Sequence, residues 1–403
     1  MPAPDATWVD NADDLQRLVD ALSAVDRYGI DTEFHREKTY WPQLALVQIA
    51  WDGGLALVDP IAVDITPMAA IFDDARTAIF HAADQDIEIL SNVCGAIPAK
   101  VFDTQIAAGF LGWSTPSLST LANDLLDVHL AKGDRMTDWT VRPLSAGQQK
   151  YAAADVAHLL ELHSELTSRL EACGRLDWAW EECQTQFSIP RPPQDPATAW
   201  WRLKDNRSLR GPARGIAQEV TAWRERRAAE LDRPIRMVLP DLAIVGIANR
   251  PPKDDKALRA IRGLDGRHLG GGGVTAILEA VKRGQALPAD QVHVAPTDDL
   301  DRRLRPAVTL VSAWISQLAR DLRLDPAILA TRGDLVGFLQ GSDTARLASG
   351  WRHDLVGDPV RRVVAGEAAI AFKPGSGDLE LEHRSGQPIL VDLPLPDPAS
   401  TRR

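Results

Sequence analysis

Cysteine is scarce in this sequence: Cys94, Cys173 and Cys183 are the only three in 403 residues. An odd number at spacings that match no zinc or redox motif excludes a disulfide framework and a cysteine-ligated zinc site, and the three read as buried thiols. Long apolar runs are missing too. No stretch of 18 uncharged apolar residues occurs, and the opening "MPAPDATWVD" has neither the basic nor the apolar region of a secretory signal. A cytoplasmic protein with no membrane partner is expected. The glycine run "LGGGGV" at 269–274 lacks the Lys-Ser/Thr of a P-loop and reads as a turn before a helix. His158 and His163, five positions apart, do not share a helical face, which excludes a zinc-hydrolase pair.

Charge is present but unevenly spread. Of the net −11, residues 1–200 carry −17 and residues 201–403 carry +6, with 201–290 alone supplying +7. An acidic module joined to a basic one suggests two jobs, the basic part suited to a polyanion.

Apolar periodicity sketches the architecture. "NADDLQRLVDAL" is an amphipathic helix capped by Asn11, with acids in its first turn. "RYGIDTEF", "LALVQIAW", "GLALVDP" and "TAIF" read as short strands, the second apolar almost throughout, as in a strand covered on both faces. Helices are expected over about 84–93, 103–111 and 117–127, with one long helix over 146–170. Early strands with helices around and after them argue a layered α/β domain over 1–187. The Pro-rich "SIPRPPQDPATAW" marks a boundary, and 188–205 is expected as a linker. All-helical sets are expected over 206–290 and 298–375. Each opens with a long helix carrying an Ala-Trp step, at Trp223 or Trp314, which suggests a diverged repeat. Residues 376–403 read as a loose tail with one strand pair, "LELEH" with "ILVDL".

The chain also holds carboxylates where unpaired charge is costly. In "IDTEF" on a strand, Asp31 and Glu33 share one face, about 7 Å apart, while Ile30, Thr32 and Phe34 take the other. Like charges so placed repel unless a cation lies between them. In "FHAADQDIEIL" a strand ends at Phe80 and a helix starts near Asp84, with Asp86 and Glu88 in its first turns. Acids are favoured there whatever the function, so the choice among the three stays open. In "DWTVRPLSAGQQKYAAADVAHLL", Ser145 and Gln148 have capping-box spacing, and Tyr151 and Asp155 then lie one turn apart on one face. A carboxylate set without a cysteine or histidine pattern selects a hard cation, Mg²⁺ or Mn²⁺. Four acids holding two such ions about 3.5–4 Å apart would stabilise both the attacking and the leaving oxygen of a phosphodiester displacement.

These three stretches, in this order, resemble the exonuclease motifs of the DEDD superfamily in its Tyr-containing branch, and the helical sets resemble HRDC domains. Along nearly its whole length the chain is similar to the bacterial ribonuclease D family. The resemblance implies a ribonuclease H-like α/β domain followed by two HRDC-like domains. It implies a monomer that removes nucleoside 5′-monophosphates stepwise from RNA 3′ ends, tRNA precursors among them. The implied site takes Asp31 and Glu33 from the first motif, Asp86, by its spacing from His81, from the second, and Tyr151 with Asp155 from the third. One cation would be held by Asp31, Glu33 and Asp155. A second would share Asp31 and lean on Asp86, partly through water, and Tyr151 would hydrogen-bond the attacking water.

Arg207, Arg210, Arg214, Arg224, Arg226 and Arg227, with Trp200, Trp201 and Trp223 nearby, are candidates to pair phosphates and stack bases. Trp223 reads more readily as helix-packing core. His35, beside the acidic pair, is open between a surface and a substrate role. A DNA 3′–5′ exonuclease of the same superfamily stays open, because the catalytic chemistry does not read the 2′-OH. A non-enzymatic nucleic-acid adaptor is opposed by the complete acid set.

Overall fold

The computed structural model describes residues 6–73, 75–130, 137–187, 195–294 and 300–386. The chain divides into two compact units, Met1–Thr297 and Asp298–Arg403.

The first unit begins with β1 (Thr7–Val9) and α1 (Ala12–Ser23), whose first turn is capped by the Asn11 side chain accepting from the Asp14 N–H. An antiparallel meander follows: β2 (Arg27–His35), β3 (Gln43–Trp51) and β4 (Gly54–Val58). Next come β5 (Thr77–Phe80), α2 (Asp84–Cys94) and β6 (Val101–Asp103). The six strands form one mixed sheet in the order β1-β4-β3-β2-β5-β6, so β2 is central, antiparallel to β3 and parallel to β5. Five helices close the α/β part: α3 (Thr104–Gly109), α4 (Leu118–Leu126), α5 (Ala146–Ala157), α6 (Leu159–Ala172) and α7 (Leu176–Phe187).

Alternation along the central strands feeds two cores. Ile30, Val47 and Ile49 pack with Leu15 and Leu22 of α1 and Ile87 and Leu90 of α2. Leu46 and Ala50 point the other way, into Ala152 and Val156 of α5 and Leu159 of α6. Residues 44–50 of β3 are all buried, as the unbroken apolar run anticipates. This is the layered α/β domain expected from the sequence.

The single helix expected over 146–170 is two. His158 (φ −115°, ψ 7°) separates α5 from α6. The next residue, Leu159, packs so tightly on β2 that a Cβ at Gly29 would lie 2.9 Å from its Cβ. Packing of that kind is tertiary, and no local propensity marks it. Of the cysteines, Cys94 and Cys183 are buried, but Cys173 is exposed where α6 ends.

The first helical module comprises α8 (Pro212–Leu231), α9 (Ile235–Val238), α10 (Asp241–Asn249), α11 (Asp255–Arg259) and α12 (Gly273–Ala286), the last preceded by the glycine turn. Residues 188–194 of the expected linker lie outside the described residues, but Pro196–Arg202 is a 3-10 turn built into this module. Trp200 and Leu203 are buried in its core, and the indoles of Trp200 and Trp201 both donate to the His293 carbonyl, at 3.1 and 2.9 Å. Proline content signalled a break. The apolar area of the tryptophans outweighs that signal.

In the second unit α13 (Arg305–Leu322) leads into α14 (Pro326–Leu329), α15 (Arg332–Leu339), α16 (Gly350–Arg352) and α17 (Asp358–Val364). The set is not all-helical. "AAIAF", read as helix, forms β7 (Ala368–Phe372) and pairs antiparallel with β8 (Leu379–His383). Gly366 at φ +77° follows the end of α17 and lets the chain turn out of the helix. The expected partner "ILVDL" at 389–393 lies outside the described residues. Among the described residues no helix is long and apolar enough to cross a membrane.

Candidate active site

Asp31 and Glu33 leave β2 on the side of the sheet covered by α5, and Asp155 meets them from that helix. One carboxylate oxygen from each lies within 4.8 Å of the others, and all three residues are half-buried. The helix that carries Asp155 is fixed at its start by a complete capping box: Ser145 Oγ accepts from the Gln148 N–H and Gln148 Oε1 from the Ser145 N–H. The segment before it is tied to the sheet by Arg142, whose guanidinium donates twice to Asp59, at 2.6 and 2.7 Å, just past β4. Burial would raise the Asp59 carboxyl, but the hydrogen bonds and charge of Arg142, together with the Ile61 and Ala62 N–H groups, outweigh it and hold the group below its ordinary value. Tyr151 sits one turn before Asp155, half-buried, its ring 6.0 Å from that of Trp139.

Asp86 approaches β2 from α2. Only 6 % exposed, it accepts a hydrogen bond from the Thr32 hydroxyl, on the opposite side of the strand from Asp31 and Glu33. It stands outside the group of three, yet its charge acts on Asp31. Burial first, then the charges of Asp86, Asp155 and Glu33, hold Asp31 well above the usual carboxylate range. Burial pushes Asp86 up to about 7, although the Thr32 hydroxyl favours its ionised form. Among the described residues, Asp31, Glu33 and Asp155 are the one group of acids, cysteines or histidines close enough to hold a metal ion. An all-oxygen set under mutual repulsion fits a hard divalent cation.

Two supports were missed by reading the sequence. Asp103, 1 % exposed, accepts from the Ala82 and Ala83 N–H groups at 3.1 and 2.8 Å and from Gln105 and Ile106 at 2.8 and 3.3 Å. It thereby caps α3 and also clamps the turn in front of α2, where Ala82 takes a left-handed conformation (φ 62°) that is costly for alanine. The visible signal, an aspartate before a helix, accounts for the cap alone. The second support is the loop from Arg36 to Pro42. Arg36 pairs with Glu88 of α2 at 2.6 Å, and the Tyr40 and Trp41 N–H groups both donate to Asp232 Oδ1, at 3.0 Å each. Asp232 is the C-cap of α8, so the helical module holds a loop that follows directly on the strand of Asp31 and Glu33. His35, half-buried, accepts the Glu37 N–H at its ring nitrogen.

The basic candidates divide. Arg207 and Arg210 are exposed and Arg214 is half-buried. Arg224, 2 % exposed, is a correction: it donates to the Leu239 carbonyl and to Asp241, tying α8 to α10, and does not face solvent. Trp200 is buried in the module's core, and Trp201 and Trp223, half-buried, pack against it.

Residues 6–171 match the family model of a 3′–5′ exonuclease, and residues 213–278 match that of the HRDC domain. The ribonuclease D of Gluconacetobacter diazotrophicus is 35% identical over 378 residues, covering 92% of this chain and 94% of that relative. The ribonuclease D of Escherichia coli K12 is 30% identical over 366 residues, covering 87% and 96%. The crystal structure of Escherichia coli RNase D, described as an exoribonuclease involved in structured RNA processing, superposes with a TM-score of 0.82 at 29% identity, covering 90% of this chain and 99% of that one. The catalytic core of RRP6 from Trypanosoma brucei follows at a TM-score of 0.58 and 25% identity, covering 71% and 83%. With the acidic site, the exonuclease domain and the HRDC domain in one continuous match, the chain belongs to the ribonuclease D family of 3′–5′ exoribonucleases.

Proposed function

We propose that the chain trims RNA 3′ ends, tRNA precursors among them, by hydrolysis that releases nucleoside 5′-monophosphates and depends on two divalent cations. The observation that carries this reading is the grouping of Asp31, Glu33 and Asp155 within 4.8 Å, with Asp31 held well above its ordinary value by burial and then by its acidic neighbours. Asp31, Glu33 and Asp155 would hold one Mg²⁺ or Mn²⁺, and Asp31 with Asp86 a second. Bound there, such ions make water more acidic and stabilise charge on the phosphate oxygens. Tyr151, one turn before Asp155, orients the attacking water by a hydrogen bond. Asp31 and Asp86 give up their protons as the site loads, which makes loading easier as pH rises. Thr32 holds Asp86 toward β2 through its hydroxyl.

Arg207, Arg210 and Arg214, from the basic part of the chain, contact phosphates farther along the strand. The description of the Escherichia coli relative as a processor of structured RNA supports an RNA substrate. The Pro-initiated long helix with an Ala-Trp step in both α8 and α13 supports reading the second helical set as HRDC-like and diverged from the first. We place the protein in the cytoplasm as a monomer. The test is incubation with 5′-labelled RNA and DNA of equal sequence, in Mg²⁺ and again with EDTA. A Mg²⁺-dependent ladder on RNA is expected. Equal or faster shortening of DNA would favour the DNA exonuclease reading, and binding without shortening would favour an adaptor.

A further inference from the structure

Gln48 is the one polar side chain among residues 44–50 of β3, a stretch otherwise made of leucine, alanine, valine and isoleucine. It is fully buried, and among the described residues neither its amide nitrogen nor its amide oxygen has a hydrogen-bond partner. Buried amides are nearly always satisfied, and one left over is unfavourable unless something else retains it. An apolar side chain would serve the core better.

Its register says what retains it. Gln48 lies directly opposite Asp31 across the antiparallel β2–β3 pair. Residues so paired project to the same face with their Cβ atoms about 5 Å apart. Its neighbours on that face confirm the side: Leu46 and Ala50 both enter the core beneath α5 and α6, the helix layer that carries Asp155. The orphaned amide therefore sits beside the acid that the proposed cation site uses most heavily.

We propose that Gln48 is a positioning residue of that site, its amide N–H donating to the Asp31 carboxylate when that carboxylate holds a cation. The inference rests on the two-cation reading above. A donor behind a ligating carboxylate fixes its orientation, and losing such a partner typically costs ten- to hundredfold in metal affinity. On this reading Gln48 is a residue kept for the loaded state.

The experiment compares the full-length wild type with Gln48→Met, which keeps length and loses the amide, and with Leu46→Met, a control in the same core opposite Glu33. Each is titrated with Mn²⁺ alone by calorimetry and melted in EDTA. For Gln48→Met the expected results are Mn²⁺ affinity reduced ten- to hundredfold and a metal-free melting temperature equal to or above wild type, with Leu46→Met binding Mn²⁺ like wild type. Mn²⁺ affinity of Gln48→Met within twofold of wild type overturns the proposal. So does a metal-free melting temperature lowered by several degrees, which would mean that the amide holds the fold, through a buried water for example. A wild type that binds no Mn²⁺ overturns the cation site itself, and this inference with it.

Discussion

Gly29 and Leu159 touch where one methyl group would no longer fit: a Cβ on residue 29 would lie 2.9 Å from Leu159 Cβ. Gly29 is two residues before Asp31 on β2, and Leu159 is four after Asp155, so this contact sets how closely the strand and the helices bring their acids together. Gly29→Ala is expected to cost about 1–3 kcal/mol of stability by overpacking. It should lower turnover by at least about tenfold, because displacements near 1 Å in a site are expensive. Chemical denaturation beside single-turnover kinetics checks both.

Asp103 satisfies four backbone N–H groups at once. Asp103→Ala leaves all four without that acceptor and is expected to destabilise the protein by about 3 kcal/mol. Asp103→Asn keeps one oxygen but turns an amide N–H toward a donor, so an intermediate loss is expected. Urea unfolding of both variants measures it.

The acids also predict a pH dependence. Asp86 has its folded value near 7 against an ordinary 3.8, so between those values the metal-free native state binds more protons than the unfolded state. Its contribution to stability is therefore greatest at the acid end and declines as pH rises from about 4 to about 7, with Asp31 acting in the same direction. Melting temperatures in EDTA should follow this decline. Asp86→Asn should flatten it, and saturating Mg²⁺ should reverse it, because the cation replaces the proton.

The helical module does more than supply basic charge. With Tyr40 and Trp41 hydrogen-bonded to Asp232, removing residues 201–403 takes away a support of the loop beside the acids as well as phosphate contacts. Asp232→Ala is expected to lower kcat/KM several-fold even on oligonucleotides too short to reach the module. Asp232→Asn, which retains the accepting Oδ1, should stay close to wild type.

Alternation on a strand and one-turn spacing on a helix placed Asp31, Glu33 and Asp155 on faces that do meet, and the Ser145–Gln148 spacing did mark the start of α5. Such patterns report which way a side chain points. They do not report what lies opposite. Arg224 reads from the sequence as a candidate to pair phosphates, yet its position on α8 faces α10 and Asp241. Gln48 was hidden inside an apolar strand because its significance lies in the register with Asp31. The break at His158 came from tertiary packing, and "AAIAF" became a strand by pairing with the strand that follows it, neither of which single-residue propensity encodes.

The most direct measurement is turnover of Asp31→Asn on 5′-labelled RNA in Mg²⁺. Asp31 is the acid shared by both proposed cations, and its charge is opposed by those of Asp86, Asp155 and Glu33. Loss of turnover by about a thousandfold or more is expected, with a metal-free melting temperature no lower than wild type at pH 7. Near-normal shortening of the RNA by Asp31→Asn would contradict the account.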